Sequence, residues 1–157
     1  AETVLDAKHR ITVPRRVRET MEVLGHALWY MARGFDHSIF LFPRDEWNKI
    51  RDQVKQYSSM DTRALDFRRL FFASVTEVRP DRQGRMPVPP HLRAYARLDR
   101  DAVLIGVDDH LELWSRDAWR AFQEQQEPEF KAMAAQLFAG DKQLSNSTEE
   151  SGASDET

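Results

Sequence analysis

The chain has 157 residues, 41% of them apolar and 10% aromatic, which is enough for one compact domain or two small interlocked ones. It holds no cysteine, which excludes disulfides and thiolate metal sites and suits a reducing compartment. No apolar run approaches the ~18 residues of a membrane span and no signal-peptide core opens the chain, so a cytoplasmic protein with no membrane partner is expected; the net charge of −3 is by itself unfavourable for nucleic-acid binding.

Val4 and Leu5 lead into Asp6-Ala7-Lys8-His9-Arg10, which predicts a tight turn, and Ile11-Thr12-Val13 predicts a short β-branched strand beyond it. Pro14 suits the first turn of a helix, where no amide donor is needed, and Val17, Met21 and Leu24 give that helix an apolar stripe. Residues 27–31 and 38–42, with Gly34 between them, predict a hairpin. Pro43 then opens a helix whose first turn carries Asp45 and Glu46, where acids favour the positive helix end, and Trp47, Ile50 and Val54 follow at helical spacing. Asp61 caps a further helix to Ala73, with Leu65, Leu70, Phe71 and Phe72 apolar and Arg63, Arg68 and Arg69 exposed. It is expected to connect the two halves of the chain and pack across them, with no counterpart later on.

From residue 81 the chain repeats itself. Asp81-Arg82-Gln83-Gly84-Arg85-Met86-Pro87-Val88-Pro89-Pro90-His91-Leu92-Arg93 shares the pattern D-x-x-x-R-x-x-V-P-x-x-x-R with residues 6–18. Further on, residues 108–119 align without gaps on residues 36–47, so Asp108 falls on Asp36, Arg116 on Arg44, Asp117 on Asp45 and Trp119 on Trp47. Two blocks in the same order indicate a tandem duplication, and a unit present twice predicts pseudo-two-fold symmetry with each half covering the other's apolar face. In the second copy Gly84 supplies a residue with positive φ. The first copy has His9 there, and histidine is among the non-glycine types enriched in that region. Leu92, Tyr95 and Leu98 then stripe the short helix, residues 102–107 and 111–114 form the hairpin, and Ser115 opens the next helix with Trp119 and Phe122 inside. Phe130, Met133, Leu137 and Phe138 give a last amphipathic helix, and the Ser/Glu/Thr-rich end predicts disorder.

Charge is unevenly spread. From Asp141 onward there are five acids and one lysine, and without that tail the remainder carries +1. Residues 79–100 hold six arginines against two aspartates, and residues 1–19 five basic residues against three acids, so both motif copies are basic patches on a near-neutral body.

Arg10 and Arg85 stand at the exits of the two turns. A guanidinium projected from a tight turn can reach into a major groove and bond guanine O6 and N7 together. The other reading is an ion pair with the motif aspartate that only stabilises the turn, and composition leaves the two open. On the first reading His9 lies on the DNA-facing loop, while Lys8, Arg15, Arg16 and Arg82 are phosphate contacts, which set register and affinity. Asp6 and Asp81 accept turn amides or hold the arginine fork, and with Gly84 they support the turn. Arg18 and Arg93 are expected to be structural, and the four tryptophans to serve the core or subunit contacts. The five histidines show no metal-ligand spacing and there is no nucleophile elbow or phosphate loop, so no catalytic residue, metal, cofactor or small-molecule substrate is expected.

The ordered pair of motifs, the opening Leu5-Asp6-Ala7-Lys8-His9-Arg10, the block Arg44-Asp45-Glu46-Trp47 and Leu111-Glu112-Leu113-Trp114 resemble the MraZ family of the bacterial SpoVT/AbrB superfamily, over roughly residues 3–125. The resemblance implies an α+β fold: a tandem pseudo-two-fold pair of AbrB-like halves, each a swapped-hairpin β-barrel, with flanking helices. Residues 1–58 would be the first half, 59–73 the connecting helix, 74–122 the second half, 123–140 the C-terminal helix and 141–157 an acidic disordered tail. It also implies a transcriptional regulator in the nucleoid, assembled as a ring-shaped homo-oligomer. Such a ring would bind G-rich direct repeats of double-stranded DNA in the promoter of the division and cell-wall gene cluster. His9 departs from the family, which usually has glycine there. The rival from another class is an AbrB-like interaction module, an antitoxin or scaffold, whose tail or last helix grips a partner.

Overall fold

The computed structural model describes residues 1–23, 28–57 and 60–150, and only the backbone of 20–23 and 141–150. Met21 and Leu24 of the first stripe, Ala27 of the first hairpin and residues 151–157 of the expected tail therefore lie outside the described side chains or residues. The chain divides into a unit Ala1–Trp119 and a second that starts at Arg120.

The elements follow the duplication. The first copy gives β1 (Glu2–Val4), β2 (Arg10–Thr12), α1 (Arg15–Val23), β3 (Trp29–Arg33), β4 (Ile39–Pro43), α2 (Arg44–Lys55) and α3 (Thr62–Ser74). The second gives β5 (Thr76–Val78), β6 (Arg85–Pro87), α4 (Pro90–Tyr95), β7 (Asp101–Gly106), β8 (Leu111–Ser115) and α5 (Arg116–Gln126), then a 3-10 turn Glu127–Glu129 and α6 (Phe130–Glu150). The helix starts carry the predicted signals. Asp61 accepts the amides of Arg63 and Ala64, the Ser115 hydroxyl accepts that of Ala118, and Pro89 and Pro90 open α4.

The halves exchange strands. β1 pairs with β7 of the second hairpin and β5 with β3 of the first, giving one antiparallel sheet in the order β1-β7-β8-β4-β3-β5. β2 and β6 form a separate two-stranded ribbon. The pseudo-dyad is visible in the register, where Ile11 faces Met86 across the ribbon and Phe40 faces Glu112 between the hairpins. The expected closed barrel in each half is not found: the ladders of the described residues form one open sheet and one ribbon. Each half gives its first strand to the other's hairpin and pairs its second with its equivalent, so the pairing runs between the halves.

The core sits where ribbon and sheet meet. Ile11, Val13, Met86 and Val88 from the ribbon strands pack with Trp29, Met31, Ile39, Leu41, Leu92 and Leu113, all buried. Full burial of side chains of this size contributes about 1.5–3 kcal/mol each against exposure. α3 covers the first hairpin, setting Phe71 and Phe72 on Trp47 at ring distances of 5.8 and 5.9 Å. The Ser74 hydroxyl accepts the Arg33 amide at 2.9 Å, and the Ser74 carbonyl lies 2.9 Å from His91 Nε2 of α4, so the connector does touch both halves. The tryptophans serve the core as expected: Trp29, Trp47 and Trp114 are buried and Trp119 packs edge-on against Trp114. α6 runs to Glu150, ten residues into the segment assigned to the tail. Among the described residues no helix is long and apolar enough to cross a membrane.

His110, after the β7–β8 turn, packs its ring against Phe40 and Phe42, with its nitrogens 2.6 Å from Asp109 Oδ1 and 2.9 Å from Glu112 Oε2. Burial opposes the imidazolium, but the two carboxylates outweigh it and hold the pKa above the usual histidine value. That contribution is therefore complete below the unfolded value near pH 6.5 and is lost as pH rises through the higher folded value. Unfolding midpoints are expected to be higher at about pH 6 than at about pH 8.5, and His110→Gln to flatten that difference in thermal melts. An unflattened slope in the variant would assign the effect to other groups.

Candidate nucleic-acid interface

The turn before each ribbon strand is built the same way twice. In the first, the Asp6 amide donates to the Arg10 carbonyl and the His9 amide to the Asp6 carbonyl; in the second, Asp81 and Arg85, and Gly84 and Asp81, repeat those bonds at 2.9–3.0 Å. The residue before each arginine has positive φ, 58° at His9 and 77° at Gly84. This is the conformation predicted for Gly84 and for its histidine substitute.

Each aspartate then takes three bonds. Asp6 Oδ1 accepts the amides of Lys8 and Arg10, and Oδ2 accepts Arg10 Nε at 2.8 Å. Asp81 Oδ1 accepts the amides of Gln83 and Arg85, and Oδ2 accepts Arg85 Nε at 2.8 Å. Of the two readings left open by composition, the ion pair with the motif aspartate is present in both turns. The aspartate stabilises the turn and, through Nε, fixes the guanidinium, while no protein group among the described residues takes a hydrogen bond from the terminal nitrogens of Arg85. Arg10 Nη1 lies 4.0 Å from Asp81 Oδ2, so both guanidinium groups converge on the second aspartate.

The ribbon aims them. Ile11 and Met86 point into the core, so their neighbours Arg10, Thr12, Arg85 and Pro87 share the outer face. Arg10 stands opposite Pro87 and Arg85 opposite Thr12, which places the arginines diagonally across the strand pair. The ladder continues past the strands, with the Val13 amide on the Gly84 carbonyl and the Val88 amide on that of His9, tying each turn to the other copy's strand. Lys8 and Arg82 are exposed at the two turn tips. The site therefore brings together Arg10, Arg85, Lys8, Arg82, His9, Gly84 and the two aspartates. Arg15 and Arg16 lie in the first turn of α1, where Arg15 Nε is engaged by Glu19 at 2.7 Å. Their counterparts in the second copy are Pro90 and His91, so that end of the interface is not duplicated.

Arg18 is a participant that spacing alone assigned only to structure. Its side chain lies over Gly84 of the other copy, so close that a Cβ there would collide with Cδ and Nε, and its Nε is buried without a hydrogen-bond partner among the described residues. Thr12 and Pro87 on the outer face were legible from the in-out alternation of residues 10–12 and 85–87.

The turn amides donating to Asp6 Oδ1 and Asp81 Oδ1, opposed in part by desolvation and helped by the arginine side chains, hold both carboxyls below the usual aspartate range. A depressed carboxyl contributes stability that is present above its unfolded value and lost as pH falls through the folded one. The turns are therefore expected to stay formed at about pH 5, with amide NMR shifts of Lys8, Arg10, Gln83 and Arg85 moving together only in stronger acid. Movement near neutral pH would contradict this.

Comparison with known proteins agrees with the duplication. The model of the family described as MraZ protein, antitoxin-like, matches residues 1–70 and again 71–140. The chain is 41% identical over 120 residues to the protein named Transcriptional regulator MraZ of Carboxydothermus hydrogenoformans, covering 75% of this chain and 80% of that protein. It is 41% identical over 117 residues to the protein of that name from Thermomicrobium roseum, covering 74% and 80%. With the one from Desulfitobacterium hafniense it shares 38% over 133 residues, covering 85% and 90%.

Proposed function

The chain belongs to the MraZ family, and from that premise we propose that it is a sequence-specific DNA-binding transcriptional regulator that reads G-rich direct repeats through Arg10 and Arg85. The observation that carries this reading is the β2–β6 ribbon, whose outer face presents both arginines with Nε pinned by an aspartate. A two-stranded antiparallel ribbon fits the major groove, and a pre-oriented guanidinium fits the paired acceptors of guanine. The resemblance to the family supplies the rest: the promoter of the division and cell-wall cluster as target, the nucleoid as location and a ring of copies as the binding form. The strand exchange between the copies supports an AbrB-like pairing of the halves.

Assembly belongs to the mechanism. Lys8, Arg82, Arg15 and Arg16 offer few phosphate contacts per chain, and affinity from so few is weak, on the order of 10⁻⁴ M. Repeats read by several copies gain through effective concentration, since each further ribbon binds as an intramolecular event. An anisotropy titration tests this: a phased tandem-repeat duplex is expected to bind at least about a hundredfold tighter than a duplex with one repeat. Equal affinity for the two would sink the multivalent reading, and equal affinity for a scrambled duplex would sink sequence reading altogether.

A further inference from the structure

α6 occupies the place in the second copy that α3 occupies in the first. The two family matches end within these helices, and at one common offset Met133, Leu137, Phe138 and Ala139 fall on Phe67, Phe71, Phe72 and Ala73. The apolar stripe is thus duplicated, but its fate is not. Phe67 and Met133 are equally exposed at 41%, but Phe71 of α3 is 5% exposed whereas Leu137 is 72% and Phe138 68% exposed. The connections differ too. Residues 56–61 separate α2 from α3 in sequence, while Gln126 and Phe130, flanking the 3-10 turn before α6, both keep right-handed helical backbone.

We propose that α6 docks into a second copy of this chain, in the apolar groove beside α3. That groove is lined by Arg33, Phe35, Phe67, Leu70, Phe71 and Tyr95, with Phe35, Phe67 and Leu70 exposed. Phe130, Met133 and Leu137 recur at the i, i+3, i+7 spacing by which a helix anchors in a groove. The charges are of opposite sign: α3 carries Arg63, Arg68 and Arg69 against Asp66, a balance of +2, and Arg33 lines the groove, while residues 120–140 carry Glu124, Glu127 and Glu129 against Arg120 and Lys131, a balance of −1. Because helix and groove are different surfaces of one chain, the contact is head-to-tail, the kind that closes rings when the rotation allows. It deepens the proposed assembly and rests on it.

The absence of cysteine makes the test clean. Leu70→Cys and Leu137→Cys proteins are mixed and oxidised mildly, and a covalent dimer several-fold more abundant than from either variant alone is expected. A Leu70→Cys/Leu137→Cys chain that instead closes on itself as a monomer overturns the proposal, as does an assembly of wild-type size with no cross-link. In parallel, Leu137→Asp is expected to weaken self-association about tenfold or more in sedimentation, with single-repeat binding unchanged. If that variant assembles normally, the docking fails and the DNA reading stands. If the Leu70→Cys and Leu137→Cys pair cross-links as expected yet the wild type ignores G-rich DNA, the DNA reading fails and the docking stands. Capture of a different protein by α6, with no effect of Leu137→Asp on self-association, also overturns it.

Discussion

Arg85→Ala is expected to weaken binding to a G-rich tandem repeat by far more than it weakens binding to scrambled DNA. A bidentate arginine on guanine is worth about 1–3 kcal/mol, roughly five- to 150-fold per site, and the loss multiplies when several ribbons act on one duplex. Arg10→Ala is expected to act in the same direction. Its guanidinium also faces Asp81, so its removal leaves that carboxylate with Arg85 alone. The double variant should lose discrimination entirely while keeping its fold, because both side chains lie on the outer face of the ribbon and Ile11 and Met86 hold the inner one. Lys8→Ala and Arg82→Ala, at the turn tips, should instead lower affinity for every sequence alike and reduce the salt slope by about one each. Anisotropy titrations at two salt concentrations separate the two behaviours.

Gly84→Ala is expected to cost stability, about 2–4 kcal/mol, whereas His9→Gly is expected to be near neutral. At Gly84 an added Cβ meets two penalties: a φ of 77° that side chains rarely adopt and the Arg18 side chain lying over it. At His9 the first penalty is already present, with φ at 58°, and the chain tolerates it. Denaturant midpoints of the two variants measure the difference. The pair also separates stability from recognition, since His9→Gly leaves the Asp6 and Arg10 geometry in place. If Gly84→Ala melts like the wild type, Arg18 moves aside without cost and the close approach carries no weight.

The duplication made most of this legible in the residues. Asp6, Arg10, Val13 and Pro14 against Asp81, Arg85, Val88 and Pro89 announced turn, ribbon strand and helix start in both copies, and the positive φ of Gly84 and His9 followed from the turn they occupy. A swap was implied only by the family resemblance; the residues of β1 and β5 do not show it, because strands of three residues carry no signal for which hairpin they join. A barrel in each half was expected where an open sheet shared by both halves is found. Nor could spacing show that Arg18 crosses to the other copy's Gly84, since that contact depends on how α1 meets a strand pair formed between halves. The proposed correspondence of α6 with α3 was not legible, because Met133 and Leu137 stand where aromatic rings stand in α3.

An Arg10→Lys/Arg85→Lys protein separates charge from geometry in the proposed reading of DNA by two pinned guanidinium forks. Lysine keeps each charge but cannot offer the planar pair of donors that guanine O6 and N7 require. Its affinities for a G-rich tandem repeat and for a scrambled duplex of equal length are compared by anisotropy with those of the wild type. The ratio of the two is expected to fall close to one while scrambled-duplex affinity and its salt slope stay near wild type. A lysine protein that keeps the wild-type ratio would contradict that reading and return Arg10 and Arg85 to the role of turn ion pairs.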